Sequence, residues 1–383
     1  MKKAAVLASV ASMIDQFNRS NIQLLQSMGY HVDVIADFSH PGNLSAERAR
    51  DLIRDLESAG CSVYDISIPR SINPGQIIHA YRKVKALVAK ERYDLLHCQS
   101  PVGGVIARVA VKKQKGTRVI YTAHGFHFYS GAPIMNWIVF YPVERWLSGH
   151  TDVLITINRE DYLRAKKSFH AGQTVYIPGI GVDMARFSPE SEDGEKIRHE
   201  LGISETGHIL LSVGELNRNK NHASVIQALS GMNIPYVIVG KGELSSELME
   251  LARNEHVNLH LMGYRTDVAD FYRAADIYIL PSIREGLNVS LMEAMASGKP
   301  CLAGRIRGNT DLIDEDGGGF LFDPSKPEEI HEAIERMLAA DWKKMGTYNR
   351  KKMEFFSREH VMDMMKTVYL GGNMFFDPGK KDT

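Results

Sequence analysis

The chain has 383 residues, which at about 150 residues per domain is the length of two domains and an appendage. Apolar residues make up 44% and charged residues 24%, which excludes wholesale disorder or a collagen-like repeat; three cysteines without a CxxC exclude a disulfide scaffold and a thiolate zinc site and fit a reducing compartment. The 46 basic and 46 acidic residues cancel, yet residues 1–180 hold 22 against 14 and residues 181–383 hold 24 against 32, so a basic first half suits an anionic ligand or a membrane face, not a nucleic acid.

MKK followed by AAVLASVASMI has the basic and apolar regions of a signal peptide. The apolar stretch, however, flows into IDQFNRSNIQLLQSMGYHVDVI, a helix and then a strand, so residues 4–10 are expected as a buried first strand. A helix through Asn21–Met28 ends at Gly29, and residues 31–37 form the second strand. A helix over 47–59, a strand over 61–68 and a helix over 76–90 follow, the last with Ile77, Tyr81, Val84 and Val88 at helical spacing. Strands over 93–98 and 118–124 flank a helix over 102–113, residues 152–157 are a further strand, and YIPGIGVD (176–183) closes the first half. Acidic FSPESEDGEKI (187–197) marks the boundary region.

The same alternation then restarts, with strands over 208–214, 236–240, 259–263 and 276–282 and helices over 220–229, 245–254 and up to Ala275. A helix over 290–298, the strand PCLAG, a GGGFLF turn, a helix over 327–338 and a last helix from Trp342 to about Val368 complete the chain. Short apolar strands alternating with helices predict an α/β protein of parallel sheets covered on both faces. The expected architecture is two doubly wound Rossmann-like domains facing across a cleft lined by the carboxyl ends of both sheets. The expected boundaries are 1–180, 181–355, and a C-terminal helix and tail over 356–383 that packs back on the first domain.

The sharpest local signal is EGLNVSLME, from Glu285 to Glu293, between a strand and a helix. Gly286 admits a ligand close to the backbone, and the amides of Leu287, Asn288, Val289 and Ser290 point out of a helix N-terminus toward an anion. Glu285 and Glu293 can accept hydrogen bonds from sugar hydroxyls, although two glutamates eight apart are commonly a solvated pair. VGELNRNK places Glu215, Arg218 and Lys220 just past the first strand of the second half, beside Gly214. VGKGE and GYRTDV contribute Gly240, Gly263 and Tyr264, and TAHGFHF contributes His124 at a strand end. His127 sits among aromatic residues and reads as structural. No acidic DxD cluster demands a metal.

Together these segments resemble the large retaining glycosyltransferase family 4 of the GT-B fold, over almost the full length. The hallmark E-x7-E pair is matched by Glu285 and Glu293. The family's cationic Lys is matched by Lys220, while the family's Arg position holds Glu215, with Arg218, two residues before Lys220, as the candidate to restore the charge. The resemblance implies that Glu285 lies at the transferred sugar, Glu293 at the ribose hydroxyls and His124 near the donor sugar. It also implies that the loops of Gly214, Gly240, Gly263 and Tyr264 embrace the base and ribose. RGNTDLI (307–313) resembles a segment of relatives that build bacterial surface polysaccharides, with Asn309 and Thr310 as candidate contacts. The first loop, SVASMI (9–14), lacks the Gly-Gly pair that many relatives carry.

The implied activity is transfer of a sugar from a nucleoside diphosphate sugar, a UDP-sugar by preference, to a lipid-linked or saccharide acceptor of a surface polysaccharide. No tightly bound cofactor and no protein-bound divalent metal are expected. The implied location is the cytoplasm, peripheral at the inner face of the cell membrane. The apolar and aromatic run 125–146 either lies on an anionic membrane surface or forms a buried helix near the site; APIMNWIVFY has ten residues before Pro142, too few to span a bilayer. Rival readings are a GT-B phosphorylase or synthase acting on small soluble sugars, a UDP-GlcNAc epimerase, and a non-catalytic sugar-nucleotide-binding protein. A dehydrogenase is disfavoured because no GxGxxG follows the first strand.

Overall fold

Alternating strands and helices build two separate parallel sheets, each with its own core, in a computed structural model that describes residues 1–71, 73–112, 114, 116–190, 194–204 and 207–373. The first unit is made of residues 1–180 together with the chain from Met362 onward. Its elements begin with β1 (Lys2–Val10), α1 (Ala11–Phe17), α2 (Arg19–Ser27), β2 (Tyr30–Asp37), α3 (Ala46–Ser58), β3 (Ser62–Asp65) and α4 (Pro74–Glu91). They continue with β4 (Leu95–Gln99), α5 (Pro101–Val111), β5 (Arg118–Ala123), α6 (Ile134–Ser148), β6 (Val153–Thr156), α7 (Arg159–Ser168) and β7 (Gln173–Tyr176). The strands are parallel in the order β3-β2-β1-β4-β5-β6-β7, so the winding reverses between β1 and β4.

The second unit, Gly181–Val361, repeats the plan. It contains α8 (Gly194–Leu201), β8 (Leu210–Val213), α9 (His222–Ala228), β9 (Tyr236–Val239), α10 (Ser245–Asn254), β10 (Leu259–Leu261) and α11 (Val268–Ala274). Next come β11 (Ile277–Leu280), α12 (Val289–Ala296), β12 (Cys301–Gly304), α13 (Asn309–Leu312), β13 (Gly319–Phe322), α14 (Pro327–Leu338) and α15 (Trp342–Met353). The order is β10-β9-β8-β11-β12-β13, again all parallel, with the reversal between β8 and β11. This is a doubly wound, Rossmann-like arrangement in each unit. A final helix, α16 (Arg358–Leu370), has its last turns in the first unit, where the Tyr369 hydroxyl meets His97 Nδ1 at 2.8 Å.

The central strands are apolar because both faces are covered: Ala4, Ala5, Val6, Leu7 and Ala8 of β1 are all fully buried. The residues that stop one element often start the next. Ser45, Asn73, Asn158, Asn288 and Asp341 each cap a helix by accepting a backbone N–H with the side chain, and Pro74 and Pro101 begin helices in the first turn.

Several elements differ from the sequence reading. The segment read as a first loop, residues 9–14, is the end of β1 running directly into α1, with the Ser12 N–H held by Pro41 O at 3.0 Å. The strand expected over 61–68 pairs only at Ser62–Asp65, as an edge strand on β2. Helix α7 and strand β7 were not anticipated. The single helix expected from Trp342 to Val368 is two, because the Phe356 carbonyl and the Arg358 N–H turn away to pair with Val182 at 2.9 Å each. Gly181 makes room for that pairing: at φ +71, an added Cβ would stand 2.6 Å from Arg358 Cα. Lys113, residues 191–193 of the expected boundary and the tail 374–383 lie outside the described residues.

Helix α6 is turned by a polar lock. Its Glu144 is buried and accepts from Arg108 Nη2 of α5 at 2.8 Å and from the Tyr121 hydroxyl of β5 at 3.2 Å. Arg108, also fully buried, donates Nε–H to Gly104 O at 2.9 Å and lies 3.8 Å from the centre of the Tyr121 ring. Trp137, Phe140 and Tyr141 pack on the core from the same side. The opposite side of the helix is apolar and exposed: Ile134, Met135, Ile138, Val139, Val143 and Trp146 all face solvent. Pro142 also lies on that side and costs one backbone hydrogen bond without ending the fifteen-residue helix. The run 125–146 is therefore half buried. Glu144→Leu strands the Arg108 charge in the core and is expected to cost about 3–5 kcal/mol in urea unfolding, with most of the loss recovered on adding Arg108→Met.

Candidate functional site

The second sheet reverses between β8 and β11, and open α/β sheets bind ligands at such a point, beyond the carboxyl ends of the strands. Two segments leave the sheet there. Residues 214–220 follow β8, and residues 281–290 follow β11. Lys220 Nζ donates to Glu285 Oε1 at 2.7 Å, joining positions 65 apart in sequence, with side chains 17% and 14% exposed. An ammonium has three N–H donors, so two remain for an anion.

Backbone hydrogen bonds fix both ends of this pair. The Lys220 N–H is held by Asn217 Oδ1 at 3.0 Å, and Asn217 Nδ2 donates to Glu215 Oε2 at 2.8 Å. Asn219 bridges the two segments: its carbonyl accepts from Ile283 N at 2.9 Å and its side chain donates to Arg284 O at 3.0 Å. Asn221, in the left-handed region at φ 56, reaches Pro281 O at 3.2 Å and Pro324 O at 2.7 Å. Arg307 Nε donates to Glu285 O at 3.3 Å. Asn219, Asn221 and Arg307 are thus parts of the site that spacing alone did not single out; Asn219 and Arg307 stand within segments already read as informative. Arg218 is exposed and pairs with no described residue, and Glu215 is exposed.

The loops around β8 and β9 come together through glycines. A Cβ on Gly240 would stand 1.7 Å from Gly214 O, so no side chain fits there, and Gly240 also bridges Gly263. The Gly214 Cα faces the Lys220 stem, whose Cε would lie 3.2 Å from an added Cβ. Tyr264 follows Gly263 with its side chain 72% exposed.

Helix α12 starts at Val289. Asn288 caps it by accepting the Leu291 N–H at 3.0 Å, which leaves the N–H groups of Val289 and Ser290 without intrahelical acceptors. Ser290 Oγ lies 2.7 Å from both Tyr278 Oη and Asn288 Oδ1, and Leu287 is buried beneath. One turn on, Glu293 Oε2 lies 3.0 Å from the Tyr272 hydroxyl, whose single proton also faces Ser290 O at 2.9 Å. Burial pushes the Glu293 carboxyl up to about 7, against the Tyr272 hydrogen bond and the Arg186 charge, which both favour the anion. Of the other candidates, Asn309 is buried with Nδ2 on Gly304 O at 3.0 Å, and Thr310 is exposed.

His124 belongs to the first unit, at the end of β5. Its Nε2 lies 2.6 Å from Gln99 Oε1 and its ring packs 5.3 Å from that of Phe17. Burial lowers its pKa to about 4, so the imidazole is neutral at physiological pH. His127 stacks on Phe140 at 4.6 Å. Among the described residues, no group of three or more His, Cys, Asp or Glu is placed to hold a metal ion.

The raised Glu293 pKa has a definite sign for stability. Between about 4.5, its ordinary value, and about 7, the folded ligand-free protein binds more protons than the unfolded chain, so stability falls as pH rises through that window. Glu293→Gln removes the penalty. Melting of the ligand-free variant is expected above that of the wild type at pH 8, with the gap closing at pH 5.

Comparison with known proteins places the chain in a family. Residues 193–352 match the family of glycosyl transferases group 1, and residues 15–179 match the glycosyl transferase 4-like domain. EpsD of Bacillus subtilis (strain 168), a glycosyltransferase by name, is 37% identical over 80% of this chain and 84% of its own. The UDP-Gal:alpha-D-GlcNAc-diphosphoundecaprenol alpha-1,3-galactosyltransferase of Escherichia coli is 29% identical over 77% of this chain and 79% of its own. Among solved structures, Anabaena Alr3699/HepE in complex with UDP is similar at a TM-score of 0.77 and 17% identity, covering 97% of this chain and all of that one. The chain belongs to the GT-B glycosyltransferases of group 1, with a glycosyl transferase 4-like first domain, and is an enzyme of that class.

Proposed function

We propose that the protein is a retaining glycosyltransferase that moves a sugar from a UDP-sugar to a lipid-linked saccharide in surface polysaccharide synthesis. The observation that carries the reading is the Lys220–Glu285 pair at the reversal of the second sheet, beside the start of α12. The diphosphate lies against Lys220, Arg218 and the amides of Leu287, Asn288, Val289 and Ser290. Glu293 accepts the ribose hydroxyls, the loops of Gly214, Gly240, Gly263 and Tyr264 enclose the base, and Glu285 orients the sugar. His124 contributes a contact to that sugar.

Bond breaking at the anomeric carbon leaves charge on the departing diphosphate, and fixed cations and amides stabilise it more than the bound donor. The acceptor hydroxyl approaches on the leaving-group face and gives its proton to the departing phosphate oxygen, so the bond to the acceptor forms with retention and without a protein base. Lys220→Ala is expected to lower kcat by a factor on the order of 10²–10³ with a smaller change in donor KM, and Arg218→Ala to act in the same direction. Glu215→Ala should change little. Steady-state kinetics of the three variants at saturating acceptor checks this; normal kcat for Arg218→Ala with collapse for Glu215→Ala would transfer the role to Glu215.

The acceptor and the place of reaction are read from the first unit. Among the described residues no helix is long and apolar enough to cross a membrane, yet α6 exposes Ile134, Met135 and Ile138 at 60–70% and Trp146 at 52%. Lys112 Nζ stands 4.9 Å from the centre of the Trp146 ring, and Arg145 is exposed on the same helix. An apolar face edged by cations suits the surface of an anionic bilayer, where an undecaprenol-type acceptor of the kind named for the Escherichia coli relative would be held. Each isoleucine buried in lipid contributes about 1.5–3 kcal/mol. Ile134→Asp with Ile138→Asp is therefore expected to abolish flotation with anionic vesicles, and added salt to weaken flotation of the wild type. Equal recovery of variant and wild type would remove α6 from the membrane contact.

A further inference from the structure

A row of buried amides leads to His124, and its hydrogen bonds can run in one direction only. The row starts at a backbone carbonyl: Asn18, the residue between α1 and α2, is fully buried and its side chain lies 2.9 Å from Met13 O. A carbonyl only accepts, so the Asn18 amide nitrogen faces Met13 and the Asn18 Oδ1 faces away. That oxygen accepts from Gln99 Nε2 and, more weakly, from Asn21 Nδ2 at 3.4 Å. With its nitrogen committed to Asn18, Gln99, 1% exposed, turns Oε1 to His124 Nε2 at 2.6 Å. An amide oxygen cannot donate, so His124 Nε2 must carry the proton. Nδ1 then bears the lone pair, and it has no partner among the described residues.

The neighbouring groups leave this arrangement undisturbed. His97, a buried titratable neighbour, has Nδ1 and Nε2 both engaged, by the Tyr369 hydroxyl and Thr122 Oγ1 at 2.8 Å each. Burial keeps His97 neutral as well. Phe17, from α1, covers the His124 ring.

We propose that Gln99, oriented by Asn18, is a positioning residue that holds His124 as the Nε2–H tautomer and so presents Nδ1 as a hydrogen-bond acceptor to a hydroxyl of the transferred sugar. The sugar half of this statement rests on the reading of the protein as a sugar transferase that uses His124; the tautomer half does not. An imidazole free to choose its tautomer would offer an N–H to the sugar for part of the time, whereas a fixed lone pair sets the direction of the hydrogen bond. Gln99→Met keeps the length of the side chain and removes the acceptor.

The test is long-range proton–nitrogen NMR of the histidine side chains in the full-length protein. His124 of the wild type is expected to show a protonated Nε2 and a lone-pair Nδ1. Gln99→Met should give a mixture of tautomers. Kinetics with a series of deoxy UDP-hexoses should show one position whose deoxygenation costs about tenfold in kcat/KM. A wild-type His124 protonated at Nδ1, or a tautomer unmoved in Gln99→Met, overturns the proposal while leaving the transferase reading intact. The expected tautomers with no position whose deoxygenation lowers kcat/KM overturn the sugar contact. Absence of transfer from every UDP-, GDP- and ADP-hexose overturns the functional reading instead.

Discussion

The contact between Lys220 and Glu285 depends on a property of the whole second sheet: β8 and β11 are neighbours in space although three helices and two strands separate them in the chain. Because the winding reverses there, the segments leaving the two strands diverge and leave room at their carboxyl ends. Glycines at 214 and 240 then bring the next two loops to backbone contact on one side, and Asn219 and Asn221 tie residues 214–221 to residues 281–284 and to Pro324 on the other. The ion pair, mostly shielded from water, needs that scaffolding. Two side chains held by backbone hydrogen bonds lose little further freedom on meeting a ligand, which is the condition for stabilising charge only as it develops.

Both units place polar groups in the interior where geometry has to be held. In the first, the Arg108–Glu144–Tyr121 cluster sets the rotation of α6, and it does so with the charged residue inside and the isoleucines outside. A helix chosen for core packing alone would have the reverse arrangement. In the second, Glu293 is held in an environment that favours its neutral form while two neighbouring groups favour the anion. A ligand that donates hydrogen bonds from hydroxyls shifts that balance toward the carboxylate, so part of the binding energy goes into its ionisation. Placing a carboxylate where the ligand-free fold would prefer a neutral group fits a ligand-binding role better than a structural one.

Much of this is legible in the sequence. Strand–helix alternation over 4–124 and 208–338 is the direct image of the two sheets, since strands covered on both faces must be apolar throughout. The Glu285–Glu293 spacing and the start of α12 follow from a helix N-terminus, which local residues specify. What is not legible is whatever depends on distant pairing. Nothing near Lys220 announces Glu285 as its partner, and nothing in the aromatic-rich residues 125–146 tells which side of α6 the core takes until Arg108 is known to lie under Glu144. The break between α15 and α16 is made by Val182, about 175 residues earlier in the chain, and so escaped a helix periodicity that continues through it. Gln99 and Asn18 carry no spacing signal, because amides act through the directions of their hydrogen bonds, and those directions exist only in the fold.

The central claim is that sugar transfer is organised around the Lys220–Glu285 pair and the start of α12. The most direct test is a crystal structure of this protein with UDP. The account predicts the β-phosphate within hydrogen-bond reach of Lys220 Nζ and of the Val289 and Ser290 amides, with the ribose hydroxyls on Glu293. A UDP whose phosphates lie away from Lys220 and α12, with Glu293 still bound only to Tyr272, would contradict it.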